Sequence, residues 1–90
     1  MLSVTERAKR TLKNLLAAKV EHPLARLRLT TGAQGQLGLG IDVQLPGDKV
    51  VEFEGTAVLL VGQELALSLA GITLDVDDTP DGPELVISGS

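Results

Sequence analysis

Residues 31–40 read Thr-Gly-Ala-Gln-Gly-Gln-Leu-Gly-Leu-Gly, with four glycines in ten positions. On either side, apolar residues recur at every second position. Before the glycines, Ala25, Leu27 and Leu29 alternate with Arg26, Arg28 and Thr30. After them, Leu37, Leu39, Ile41, Val43 and Leu45 alternate with Gly38, Gly40, Asp42 and Gln44. A period of two over such runs specifies strands with one face buried. The chain must therefore hold two strands, over residues 24–31 and 37–45, joined through glycine-dense backbone. Glycine at that density marks a tight turn or a close approach by another group. Loops of this kind often carry a site. This one contains no Cys, His, Asp, Glu, Ser or Lys.

The remaining elements follow from shorter signals. Residues 1–4 can pair as an edge strand. Thr5 is suited to cap a helix and Glu6 to face its dipole, while Ser3 with Glu6 also fits a capping box. Ala8, Leu12, Leu15, Leu16 and Lys19 keep helical spacing, and Arg7, Lys9, Arg10 and Lys13 take the solvent side. Pro23 biases His22 out of the helical region, so the helix ends near Lys19. Residues 46–48 form a turn. Residues 49–53 and 56–61 are short strands around a Glu54-Gly55 hairpin turn. Residues 63–70 favour a helix of about two turns, with Gly71 at its C-terminal cap. Ile72, Leu74 and Val76 alternate with Thr73, Asp75 and Asp77. Residues 80–83 turn the chain into a last strand containing Leu85 and Ile87. The expected fold is a single α+β domain over residues 1–90, in the order β-α-β-β-β-β-α-β-β.

Composition restricts function more than it reveals it. Hydrophobic residues make up 43% of the 90 positions, which is globular. Phe53 is the only aromatic residue, so the core is built from Leu, Val, Ile and Ala. Single-stranded nucleic acid is bound on aromatic platforms, and a net charge of −4 repels phosphate backbones, so nucleic acid is not an expected partner. The absence of cysteine excludes disulfides, thiolate metal sites and cysteine catalysis within this sequence. No apolar run reaches the ~20 residues of a membrane span, and the first residues do not read as a signal peptide. A cytoplasmic protein is the expectation. Positive charge gathers in the first third and negative charge at residues 75–84. This reads as solvated surface, or as pairing with a second copy or a partner.

No set of residues assembles a catalytic group. From Asp77 the acidic turn reads like half of a calcium loop, but Ser88 falls where a bidentate Glu is needed, and a charged hairpin tip is the simpler reading. His22 is the only histidine, in a loop without partners. Ser3, Ser68, Ser88 and Ser90 have no adjacent base; Ser68 belongs to the short helix, and Ser88 and Ser90 to a terminal tail. The glycine loop lacks the Lys-Ser/Thr of a phosphate-binding loop. The expectation is a protein that is not an enzyme.

The layout nevertheless resembles a known family. Ser3-Val4-Thr5-Glu6-Arg7-Ala8 precedes the amphipathic helix, and an Arg26-Leu27-Arg28-Leu29 strand leads into the glycine loop. Gly32-Ala33-Gln34-Gly35 resembles a Gly-Cys-x-Gly motif, and the segment from Leu69 to Asp75 resembles a Leu-x-Gly-x-x-Leu-Asp signature. Their order and spacing over almost the whole chain resemble the HesB/IscA-like A-type carriers of iron–sulfur assembly. The resemblance implies mixed, twisted sheets in a flattened half-barrel. It also implies three cysteines, one in the loop and two in a C-terminal Cys-Gly-Cys, that hold iron or a cluster, usually between subunits. Here Ala33 stands at the loop position, and residues 88–90 are Ser-Gly-Ser. Thiolates are what such clusters require.

The expected role is therefore non-enzymatic: a HesB-like domain without cofactor, metal or iron–sulfur cluster, serving as an interaction or scaffold module with a protein partner or as a homodimer. Gly32, Ala33, Gln34, Gly35, Gln36, Gly38 and Gly40 are the candidate contact residues. The side of residues 37–45 carrying Gly38 and Gly40 is bare, which either admits another backbone or relieves crowding beneath a crossing strand. The alternative is a small-ligand or hard-metal module, with amides from Gln34 and Gln36 and a carboxylate from Asp42.

Overall fold

A computed structural model describes residues 2–89. The elements run β1 (Ser3–Val4), α1 (Glu6–Lys19), β2 (Ala25–Thr31), β3 (Leu37–Val43), β4 (Lys49–Phe53), β5 (Thr56–Val61), α2 (Gln63–Ser68), β6 (Ile72–Thr79) and β7 (Gly82–Gly89). The element order matches the reading of the sequence, and so do the bounds of α1, β4 and β5.

Helix α1 begins where Thr5 directs. The Thr5 hydroxyl accepts the Ala8 N–H at 3.1 Å and donates to Asp75 Oδ1 at 2.6 Å, so one side chain caps α1 and ties it to β6. The alternative start at Ser3 is not used, because Ser3 and Val4 pair in parallel with Thr73 and Leu74. Arg7 adds a second tie, donating from Nε and Nη2 to the Val76 carbonyl.

Seven strands form two mixed sheets. The smaller has the order β1-β6-β7 and the larger β3-β2-β5-β4. In the larger sheet β2 runs parallel to β5, while the β2–β3 and β4–β5 pairs are antiparallel. The core cluster takes Leu12 from α1, Leu27 and Leu29 from β2, Leu59 and Val61 from β5, and Leu74 from β6. All are aliphatic. Phe53 packs at the edge of this cluster, under the Lys13 ammonium. Glu54 and Gly55 both have positive φ, as the two-residue hairpin turn between β4 and β5 demands.

Several boundaries move. β2 starts at Ala25, one residue late, because the Leu24 N–H is drawn to His22 Nδ1 at 3.2 Å. β3 stops at Val43, since the Leu45 backbone closes a turn: its N–H donates to Asp48 Oδ2 at 2.7 Å and its carbonyl accepts the Asp48 N–H at 3.1 Å. α2 ends at Ser68, two residues early, where its last turn tightens through an Ala70 N–H to Leu67 carbonyl bond. The last hairpin turn uses only Pro80 and Asp81, leaving Gly82 and Pro83 in β7. Ser88 pairs with Thr73 in β7 and is not in a tail. Met1 and Ser90 lie outside the described residues.

The largest departure concerns β3. Its alternation predicts that Ile41, Val43 and Leu45 face the core, yet Ile41 is 59% exposed and the other two are also exposed. β3 is one of the two edges of the larger sheet. α1 packs over β2, β4, β5 and β6, so its cover does not extend to the far end of β3. The period of the strand was legible; what lies above it was not.

Candidate functional site

The glycine loop is a hairpin tip. The Gly32 N–H donates to the Gln36 carbonyl at 2.8 Å and the Gly35 N–H to the Gly32 carbonyl at 3.0 Å. These bonds enclose a three-residue loop of Ala33, Gln34 and Gly35, with Gly35 left-handed at φ +80°. A turn followed by one left-handed residue is a standard hairpin solution. The Gln36 side chain folds back across the loop: its Oε1 accepts the Gln34 N–H at 3.1 Å. A Cβ on Gly32 would lie 2.4 Å from Gln36 Nε2, so the bare backbone there makes room for that amide. Residues 32–36 are all exposed, and Ala33 sits at the tip.

Gly38 and Gly40 do not lie beneath a crossing strand. Their nearest neighbour is the Thr30 side chain on β2, 3.2 Å from a Cβ built on Gly38 and 3.6 Å from one built on Gly40. Two substitutions separate these roles. Gly35→Ala forces a left-handed alanine and lowers stability by about 1 kcal/mol, whereas Gly40→Ala stays within about 0.5 kcal/mol of the parent. Urea unfolding followed by circular dichroism checks both. Equal effects would refute the assignment of Gly35 as the strained position.

The polar groups beyond the loop are committed to the fold. Arg28 lies opposite Gly40 on the β2–β3 pair. Its guanidinium donates from Nε to Asp42 Oδ2 at 2.8 Å, and from Nη1 and Nη2 to the two Asp48 carboxylate oxygens at 3.1 and 2.6 Å. A further bond reaches the Val43 carbonyl at 3.2 Å. Only 16% of the Arg28 side chain and 4% of the Asp48 side chain remain exposed. Hydrogen bonding from Arg28, then from the Leu45 N–H, holds the Asp48 carboxyl below the usual carboxylate range. The Asp75 carboxyl is lowered chiefly by the Thr5 hydroxyl, then by the Val76 N–H. Both carboxylates act as braces.

The Gln34, Gln36 and Asp42 donor set does not come together. Asp42 is six residues beyond Gln36 along the chain, roughly 20 Å at strand rise, and is bound to Arg28. His22 lies exposed in its loop, with Nδ1 accepting from Leu24. Ser68 donates to the Glu64 carbonyl on α2 at 3.1 Å. Among the described residues, no group of three His, Cys, Asp or Glu is placed to hold a metal ion, and no helix is long and apolar enough to cross a membrane.

One concavity adjoins the loop. A groove of about 500 Å³ runs between the free edges of the two sheets, lined by Leu37 and Leu39 of β3 and by Pro83, Glu84, Leu85 and Ile87 of β7. The reading of residues 31–40 contains half of this wall. The β7 half is invisible to sequence reasoning, because nothing in the spacing says that two edges some fifty residues apart face one another. Pro83 is the one available signal, since proline within a strand belongs at an edge.

Solved structures share this fold. The crystal structure of IscA with a [2Fe-2S] cluster matches with a TM-score of 0.65 at 18% identity, over 99% of this chain and 85% of that one. Escherichia coli SufA, described as involved in biosynthesis of iron–sulfur clusters, matches at 0.70 and 20% identity, over 98% and 84%. A protein from Aquifex aeolicus solved by NMR matches at 0.67 and 24% identity, over 99% and 91%. No protein-family model matches the chain, and no curated protein matches it in sequence. At such identities the likeness is one of fold: two helices and two mixed, twisted sheets in the same order give this cysteine-free chain a HesB/IscA-like fold.

Proposed function

We propose that this HesB/IscA-like fold works without an iron–sulfur cluster and without catalysis, as a protein-interaction module. The observation that carries this reading is Ala33. It stands at the loop position where the family resemblance implies a cysteine, it is exposed at a hairpin tip, and its methyl group cannot bind iron. No other thiolate exists among these 90 residues to replace it. The carboxylates that could serve as harder ligands, Asp42 and Asp48, are engaged by Arg28. An interaction role draws support from the exposed apolar residues Ile41 and Val43 on β3, Leu45 in the turn that follows, and Ile87 on β7.

Anaerobic reconstitution with iron and sulfide tests the first half. The expected visible spectrum shows no cluster absorption beyond the background of the free reagents. A stable chromophore that co-elutes with the protein would overturn the reading.

A further inference from the structure

The two strands that border the groove are edge strands that turn backbone groups toward it. The Gly32–Gln36 bond fixes the β2–β3 ladder, because hydrogen-bonded and non-hydrogen-bonded pairs alternate along an antiparallel pair. The pairs Thr30–Gly38 and Arg28–Gly40 are then the hydrogen-bonded ones. Leu37, Leu39 and Ile41 consequently turn their N–H and C=O groups away from β2, toward the free edge. Val43 closes that edge: its N–H donates to Asp42 Oδ1 at 2.8 Å and its carbonyl accepts from Arg28. On β7 the register is settled by Pro83, which has no N–H and so occupies a non-hydrogen-bonded pair with Asp78. Two and four residues on, Leu85 and Ile87 also direct their backbone groups outward. Two free edges therefore border one groove, with Leu37, Leu39, Leu85 and Ile87 as its apolar lining.

Charge says what kind of strand fits. Among the described residues, no cationic one lines the groove. Glu84 lies opposite Asp77 on the hairpin, a like-charge pair that costs stability. Asp77 is relieved by Arg7 at 3.9 Å, whereas Glu84, Asp78 and Asp81 have no ion-pair partner among the described residues. Across the groove, Gly38 carries no side chain, and Thr30 is the nearest group on that face, so no charge there opposes a basic side chain.

Resting on the interaction-module reading, we infer that the groove binds an extended segment of a partner protein as an added strand, apolar at alternate positions and lysine- or arginine-bearing between them. Main-chain bonds to the edge supply affinity, and alternate side chains supply selectivity. The inward residues of the segment sit on Leu37, Leu39, Leu85 and Ile87, and its outward cations face Glu84.

The test uses the full chain and short fluorescent peptides that alternate lysine with valine or glutamate with valine. Fluorescence anisotropy is expected to give about tenfold tighter binding of the lysine peptide. Amide exchange by NMR should slow at Leu37, Leu39, Ile41, Leu85 and Ile87. Glu84→Lys should abolish the preference; facing Asp77, the new lysine forms an attractive pair and the fold is retained. Equal binding of the two peptides, or a preference without slowed exchange at those amides, would overturn the inference. So would edge amides already protected without peptide and released on dilution, with a dimer by light scattering, since a second copy would then occupy the groove. Cluster reconstitution is scored separately, so loss of the cluster-free reading and loss of the strand-binding inference give different results.

Discussion

Leu12→Ala lowers the stability of the protein by about 3 kcal/mol, in the lower half of the range for a fully enclosed leucine. Leu12 is completely buried and belongs to the core cluster with Leu27, Leu59 and Leu74. It is the one α1 residue in that cluster, so it couples the helix to both sheets. Truncation removes apolar burial and leaves a cavity that the short aliphatic neighbours fill poorly. A chain of this size has roughly 5–13 kcal/mol of total stability, so the loss is a large fraction. The midpoint of thermal unfolding should fall by about 12–24 °C. Leu12→Met, which keeps the volume, should cost under ~1.5 kcal/mol. Circular dichroism at 222 nm, heated with both variants, measures the two effects. A Leu12→Ala midpoint within about 4 °C of the parent would mean that α1 does not pack on the sheets as described.

Asp48→Ala is expected to cost about 2 kcal/mol, on the scale of hydrogen bonds to charged groups. It removes both acceptors for the Arg28 fork and the acceptor for the Leu45 N–H. The figure is kept below that of a deeply buried pair, because this cluster lies close to the surface and is partly screened. Loss of the brace also frees the connection between β3 and β4. The pH dependence supplies an independent check. The folded-state Asp48 and Asp75 carboxyls lie below their unfolded values near 3.9. The unfolded chain therefore binds these protons first as pH falls, and stability declines from about pH 4 downward through the folded values. At neutral pH the contribution is fully present. Asp48→Asn retains an acceptor for Leu45 but removes the charge, so its stability should fall less steeply between about pH 4 and pH 2 than that of the parent. Parallel acid profiles for parent and Asp48→Asn would exclude Asp48 as a source of the acid response.

Much of the architecture can be read along the chain because its causes are local. Thr5 caps α1 through its own hydroxyl, Pro23 restricts the residue before it, and the Glu54-Gly55 turn needs two positive φ angles. Alternation at period two fixes which side chains share a face of β2, β3 and β6. The two strands flanking the glycine-dense loop, and the lack of a thiolate in that loop, also follow from sequence, whereas its closure as a hairpin was seen only in the structure.

The site depends on placement between distant segments. Ile41 and Val43 have the alternation of buried residues, and they are exposed because β3 ends the larger sheet beyond the reach of α1. Asp42 has the chemistry of a ligand, but Arg28, fourteen residues earlier, claims it. The groove joins Leu39 to Leu85, whose pairing no spacing encodes. The sequence by itself determined the element order, the faces of the elements and the absence of cysteine, because elements and faces depend on neighbours a few residues away and composition is read directly. Only the tertiary structure decided which edges stay open and which charges are already satisfied, because sheet order and long-range ion pairing are properties of the assembled chain.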